Sequence, residues 1–199
     1  MLLVEKDITK LDRVNRLKLI NSICGIRSVH LIGTKSSKNT SNLAIFSSVT
    51  HLGSNPALLG FVSRPMGKVD RHTISNIKSS TYYTINSVQS NTLNRAHQTS
   101  GKYKSEVSEF ESCSLTEEYI SSFSAPFVLE SNIKLGMKLV DIIKIKYNGT
   151  FLVVGEIKLI KYNSDNLEEN FHDCLGVIGL NTYYLTKKHK NLDYVRITN

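Results

Sequence analysis

The sequence predicts a mainly β, α+β protein built from antiparallel hairpins that close as a barrel, with a few short helices. Three observations predict it. Lys138–Tyr147 and Thr150–Lys161 are rich in β-formers and flank Asn148-Gly149, a pair that suits a tight type I′ turn because both positions tolerate positive φ. A second pair of strands reads from 42–50 and from Ala57–Val62, broken by Gly53, Asn55 and Pro56. The strand–helix alternation of a doubly wound sheet is missing, and so are a GxGxxG after a strand and a P-loop.

Along the chain, Asp7 or Thr9 can cap a first helix over about residues 7–24. Ile8, Leu11, Val14, Leu17 and Ile20 follow at helical spacing, and Gly25 ends it. Ile26–Thr34 alternates loosely as a strand, and Lys35–Ser41 is a polar turn. Asp70–Lys78 reads as a short helix, Thr81–Val88 as a strand and Thr92–Thr99 as another short helix. Tyr103–Ala125 is polar and irregular. After the long hairpin comes an acidic loop at 163–173, then the apolar Leu175–Leu180 and the segment Asn181–Tyr184. No repeat, low-complexity tract or long linker divides the chain. It reads as a single domain over 1–199, with a helical N-terminus and a C-terminal extension.

Composition narrows the function classes. Hydrophobic residues make up 40% and charged ones 21%, which places the 199-residue chain among globular proteins with a full core. The formal net charge is +8. Its basic residues are scattered, and Lys187-Lys188-His189-Lys190 is the only dense run. This reads as a solvated basic exterior that favours anionic ligands, not as a nucleic-acid surface. No apolar run reaches the ~18 residues of a membrane span, and the N-terminus is not a secretory signal. Three spaced cysteines without CxxC suit reduced thiols and a cytoplasmic location. There is no HExxH, and the separations among His51, His72 and His97 specify no metal site. No GxSxG elbow is present.

The segment 42–86 carries the chemistry. The apolar run Leu43–Phe46 leads into Ser47, Ser48, Val49 and Thr50; the next strand ends in Ser63-Arg64-Pro65; Thr73 stands at the mouth of a helix. Hydroxyls, backbone amides and one arginine at strand ends are what a planar, phosphate-bearing ligand needs. Arg64 can fork onto phosphate oxygens, and Thr73 can offer a hydroxyl and an amide at a helix N-terminus. Amides near Val49 and Thr50 can meet a polar ring edge. Taken singly, Arg64 also reads as a surface ion-pair partner, Thr73 as an N-cap, and Ser47 and Ser48 as the lining of a barrel mouth.

The order of these residues resembles the flavin reductase-like family of FMN-binding split barrels. Ala96-His97-Gln98-Thr99-Ser100, Tyr103 and Ser108-Glu109-Phe110 resemble its A-H-x-x-S, Y and S-E-F sequence. Gly179-Leu180-Asn181-Thr182-Tyr183-Tyr184 resembles a C-terminal signature of one branch. The resemblance covers about residues 20 to 185. It implies a six-stranded antiparallel Greek-key split barrel with added short helices, assembled as a homodimer with FMN near the subunit interface.

By the same resemblance, Asn42, Ser47, Ser48, Val49 and Thr50 line the flavin. Ser63, Arg64 and Thr73 hold its phosphate or ribityl chain, and His97 and Ser100 approach from the following helix. Tyr103 and Tyr184 are contacts at the open face or across the dimer, and Glu109 braces a loop. No residue is assigned a catalytic acid or base role. The implied activity is NAD(P)H-dependent hydride transfer to flavin, with electrons passed onward. The alternative is a flavoredoxin-like electron carrier that receives electrons from a redox partner protein and has no nicotinamide site of its own.

Overall fold

The structure, a computed structural model, describes residues 2–67, 71–121 and 123–196. Two helices open it, α1 (Glu5–Lys10) and α2 (Arg13–Ser22), where the periodicity predicts one. The break has a local cause. The Asp12 carboxylate accepts from the N–H groups of Val14 at 2.9 Å and Asn15 at 3.1 Å, so it caps a new helix instead of continuing the old one. Neither Asp7 nor Thr9 is an N-cap. Asp7 accepts from the Val4 N–H at 3.1 Å, and the Thr9 hydroxyl bonds back to the Glu5 and Lys6 carbonyls. Gly25, at φ +73°, ends the run.

The strands follow as β1 (Arg27–Ser28), β2 (His30–Lys35), β3 (Ser41–Phe46), β4 (Thr50–Ser54) and β5 (Ala57–Ser63). Then come α3 (His72–Ser80), β6 (Tyr82–Ser87), and a single tight turn of helix at Ser90–Thr92 that leads into α4 (Leu93–Gln98). Asp70, the expected start of α3, lies outside the described residues. The irregular stretch holds α5 (Glu109–Ser112) and β7 (Glu117–Glu118), which pairs with β8 (Phe127–Val128). The long hairpin is β9 (Ile133–Lys144) with β10 (Phe151–Tyr162). The chain closes with α6 (Leu167–Asn170), β11 (Leu175–Ile178) and β12 (Thr182–Leu185).

Among the described residues the largest sheet has seven strands in the order β3-β2-β6-β9-β10-β5-β4, all antiparallel. It exceeds the expected six by one, and the short edge strand β4 belongs to that count. The strand expected over 42–50 is interrupted at Ser47–Val49, and those three residues decide the architecture. They join β3, at one edge of the sheet, to β4, at the other. Laid flat, edges six gaps apart would lie about 29 Å from each other. The link from Phe46 to Thr50 reaches at most about 14 Å. The sheet must therefore curl until its edges meet, and its closure is covalent with no β3–β4 ladder. The seam is bridged by Ser48, whose Oγ accepts from the Val62 N–H at 3.1 Å and donates to the Val62 carbonyl at 3.2 Å. The position is in register: Thr50 pairs with Gly60, and Ser48, two residues back, meets Val62, two residues on.

Two cores result. One gathers Ile32, Phe61, Tyr83, Ile85, Met137 and Val153 from five strands inside the barrel, with Ile74 and Ile77 of α3. Phe46, Phe61 and Tyr83 meet edge to face there, with centroids 5.0 and 5.8 Å apart. The other lies outside β2 and β3, where Val29, Leu31 and Leu43 meet Ala96 of α4, Phe110 of α5 and Val177 of β11. The Glu109 carboxylate is buried against it and accepts from the Leu43 N–H at 3.0 Å. Burial pushes its pKa up, and the Leu43 bond partly offsets that.

The hairpin turn is not type I′. Only Gly149 has positive φ, and the Gly149 N–H reaches the Ile145 carbonyl at 2.9 Å, so four residues close the loop in one helical turn. Asn148 acts through its side chain, accepting from the Thr150 N–H and hydroxyl. Of the hairpin's apolar residues, Val153 is fully buried, whereas Ile143 and Ile145 at the far end stay exposed.

His30 begins β2 opposite Phe46 and Ser87. Its Nδ1 is buried without a partner, and the Ser87 hydroxyl already accepts from Gln89 and Ile133. Burial pushes the His30 pKa down from 6.5 to about 4. Between those values the unfolded chain binds a proton that the folded chain refuses, so stability falls as pH is lowered through that window. Wild type should lose about 3 kcal/mol between pH 7 and 4 from this residue, and His30→Gln should lack that component. Urea unfolding at both pH values measures it; an equal loss in the variant would contradict the assignment.

Candidate functional site

A cleft of about 740 Å³ opens beside the seam. Its wall is made by the end of β3 (Ile45, Phe46, Ser47), by Arg64 just after β5, by the end of α4 (His97, Ser100) and by the β11–β12 hairpin. Lys18 and Ser22 of α2 close one rim. The volume falls in the range that takes a cofactor-sized ligand. Lys18 and Arg64 both line it, and among the described residues no carboxylate does and neither cation forms an ion pair. Such a wall attracts an anion. The apolar side chains of Val29, Ile45, Phe46 and Val177 give a planar ring something to lie on. The residues present therefore fit a phosphate-bearing flavin.

Each side chain is placed by its element. Arg64 follows the last residue of β5, where the barrel strand ends at the surface. The Ser100 hydroxyl donates to the His97 carbonyl at 2.7 Å, fastening the end of α4. The β11–β12 hairpin turns through Gly179-Leu180-Asn181, with Gly179 at φ +67°. Its carbonyl accepts from the Arg27 guanidinium at 2.6 Å, which pins the turn to β1. Val177 then stands opposite Tyr183, on the core-facing side of the hairpin, and Gly176 opposite Tyr184. The Tyr183 hydroxyl lies 2.7 Å from His97 Nδ1, with the rings edge to face at 5.7 Å.

Of the residues singled out in the sequence, Ser47, Arg64, His97, Ser100 and Tyr184 come together in this cleft. The others do not line it. Ser48 is committed to the Val62 backbone, Val49 packs against the barrel core, and Thr50 opens β4 in an exposed position. Ser63 is buried, its hydroxyl 3.4 Å from the Arg64 carbonyl. Asn42 and Thr73 are buried against each other at 3.4 Å, five residues up β3 from Ser47. Thr73 is the second residue of α3; Arg71 is the N-cap and supplies no side-chain bond. Tyr103 points its hydroxyl at Cys113 Sγ and the Gln98 carbonyl, both 3.4 Å away, and the Cys113 contact, with burial, pushes its pKa up.

Sequence reasoning missed Tyr183, Lys18 and Ser22. The two-residue period of a strand, counted across the Gly179 turn from the apolar Val177, would have picked Tyr183 over Tyr184 as the inward tyrosine. Nothing local in α2 marks Lys18 and Ser22, because what a helix lies against is a tertiary fact.

Chains of known structure share this fold. A candidate flavin reductase with a split barrel domain from Shewanella frigidimarina NCIMB 400 is 41% identical, covering 98% of this chain and 100% of its own, with a TM-score of 0.91. Nitrilotriacetate monooxygenase component B from Bacillus cereus shares the fold at a TM-score of 0.84 and 17% identity, over 96% and 98% of the two chains. Flavoredoxin of Desulfovibrio vulgaris (Miyazaki F) does so at 0.71 and 19%, over 85% and 92%. An uncharacterised protein of Aquifex aeolicus (strain VF5) is 26% identical over 156 residues, 78% of this chain and 79% of that one. Among the described residues no helix is long and apolar enough to cross a membrane. Residues 26–190 match the family described as flavin reductase like domain, and the chain belongs to that family.

Proposed function

We propose that the cleft binds FMN and that the protein is an NAD(P)H-dependent flavin reductase, moving hydride from the nicotinamide to the flavin and electrons onward. The observation that carries this reading is the cleft itself: two cations from different elements, no carboxylate among the described residues, hydroxyls at Ser47 and Ser100, and an apolar patch at Ile45 and Phe46. The bound flavin would supply the redox chemistry. Arg64 would hold the phosphate, and Thr73, buried against Asn42, would brace β3 behind it. Val49 and Thr50 would offer backbone amides to the ring edge, and Asn42, Ser48 and Ser63 would shape the strands behind it. Tyr103 would pack behind α4. Three unpaired cysteines suit a cytoplasmic setting.

The assembly proposed is a homodimer. No residue of α2 is buried, and its apolar stripe of Val14, Leu17 and Ile20 is exposed, continuing to Ile23. The same helix carries Lys18 and Ser22 to the cleft, so a second copy seated on that stripe would border the flavin. FMN should then favour the dimer by mass action. Sedimentation with and without FMN tests this, and a monomer that binds FMN stoichiometrically at micromolar protein would contradict it.

Purified protein with FMN should oxidise NADH or NADPH. Arg64→Ala should weaken FMN binding by about 1.5–3 kcal/mol, roughly tenfold to a hundredfold, and leave riboflavin binding unchanged. Fluorescence titration of both flavins reads this directly. Equal wild-type affinity for FMN and riboflavin would overturn the phosphate assignment. Flavin that binds but is reduced by neither nucleotide, only by a chemical reductant, would mark an FMN-binding electron carrier served by a partner protein.

A further inference from the structure

We infer that Tyr183 is a positioning residue: its hydroxyl donates to His97 Nδ1 and holds the imidazole as the Nε2–H tautomer, so that the histidine presents an N–H donor to an anionic ligand in the cleft. The geometry is specific. The O···N distance is 2.7 Å, and the edge-to-face contact at 5.7 Å fixes the ring plane as well as the bond. The two partners come from elements 86 residues apart, α4 and β12, so the contact is a product of the fold.

Three observations orient the hydrogen bond. Among the described residues His97 Nδ1 is the one polar side-chain atom within hydrogen-bond reach of the Tyr183 hydroxyl, and Nε2 has no protein partner. Burial pushes the Tyr183 pKa up, so the phenol keeps its proton at neutral pH. The charged and titratable groups lining the cleft with His97 are Lys18 from α2, Arg64 after β5, and Tyr183 and Tyr184 from β12. Among the described residues no carboxylate lines the cleft, so an N–H at Nε2 is left for a ligand. In a neutral imidazole one nitrogen donates and the other accepts, and the bond at one nitrogen sets the role of the other. With Nδ1 accepting from the tyrosine, Nε2 must carry the proton. The Ser100 hydroxyl, bonded to the His97 carbonyl at 2.7 Å, holds the backbone from which the ring projects. A donor fits the rest of the wall, which already favours negative charge through Lys18 and Arg64.

The tautomer is testable without any ligand; the binding arm rests on the proposed flavin site. Nitrogen-15 spectra of the imidazoles in the free protein at alkaline pH should show His97 Nδ1 as the unprotonated nitrogen. In Tyr183→Phe the His97 signals should move toward a mixture of tautomers. A protonated Nδ1 in wild type, or signals unchanged in the variant, overturns the inference. For the ligand arm, FMN affinity is read by fluorescence in a double-mutant cycle. Tyr183→Phe should weaken FMN about threefold to tenfold in wild type and have no effect in a His97→Ala background. The same weakening in both backgrounds would make Tyr183 merely structural. No FMN binding to wild type would sink the flavin reading and the donor role together, while the spectra would still decide the tautomer.

Discussion

Ser48 turns one hydroxyl into both halves of a ladder rung. It accepts from the Val62 N–H and donates to the Val62 carbonyl, at the place where β4 has not yet begun but β5 continues. The constraint behind it is the link of three residues that ties the two edges of the seven-stranded sheet. A link that short forces the sheet to close, yet the edge strands share no hydrogen bonds. The seam is left to side chains. Each Ser48 bond contributes on the order of 1 kcal/mol, modest beside the barrel core. Its larger effect is to fix where the chain leaves β3, and so where Ser47 sits relative to Arg64.

The cleft follows from that seam. Closure brings the end of β3 next to the end of β5, while α4 and the β11–β12 hairpin pack on the outer face of β2 and β3 through the second core. The elements that supply Ser47, Arg64, His97 and Tyr183 are therefore held by two cores that share β2 and β3. Local bonds then set the side chains: Arg27 to the Gly179 carbonyl, Ser100 to the His97 carbonyl, Tyr183 to the His97 ring. The catalytic demand on such a site is small. If the flavin carries the redox chemistry, the protein has to bind, orient and balance charge, which is what a cationic wall with fixed donors does.

Much of the fold was legible because its signals are local. β2, β3, β5, β6, α3 and the β9–β10 hairpin stand within a few residues of where periodicity puts them, whereas β4, β7 and β8 are too short to carry a period and were not foreseen. Where reading failed, the deciding contact was elsewhere. Asn148-Gly149 marked the hairpin, but the Ile145 carbonyl and Thr150 chose a helical turn over type I′. One apolar period ran through Leu11, but the Asp12 carboxylate made a second helix cheaper than a longer one. For the candidate site, residue order named segments that meet at the cleft, but several of their side chains are turned elsewhere. Ser48 is turned to the seam, Asn42 and Thr73 to each other, and Tyr183, not Tyr184, faces His97. Hydroxyls are ambiguous in sequence because the same group serves a ligand or a backbone gap. Lys18 carried no signal at all.

In the proposed reading one flavin site joins the seam, the residue after β5, the end of α4 and the β11–β12 hairpin. Amide hydrogen exchange followed by mass spectrometry, with and without saturating FMN, tests it most directly. With FMN bound, exchange should slow together in 47–50, 64–67, 97–100 and 178–185. Bound FMN that protects other segments and leaves all four unchanged would contradict it.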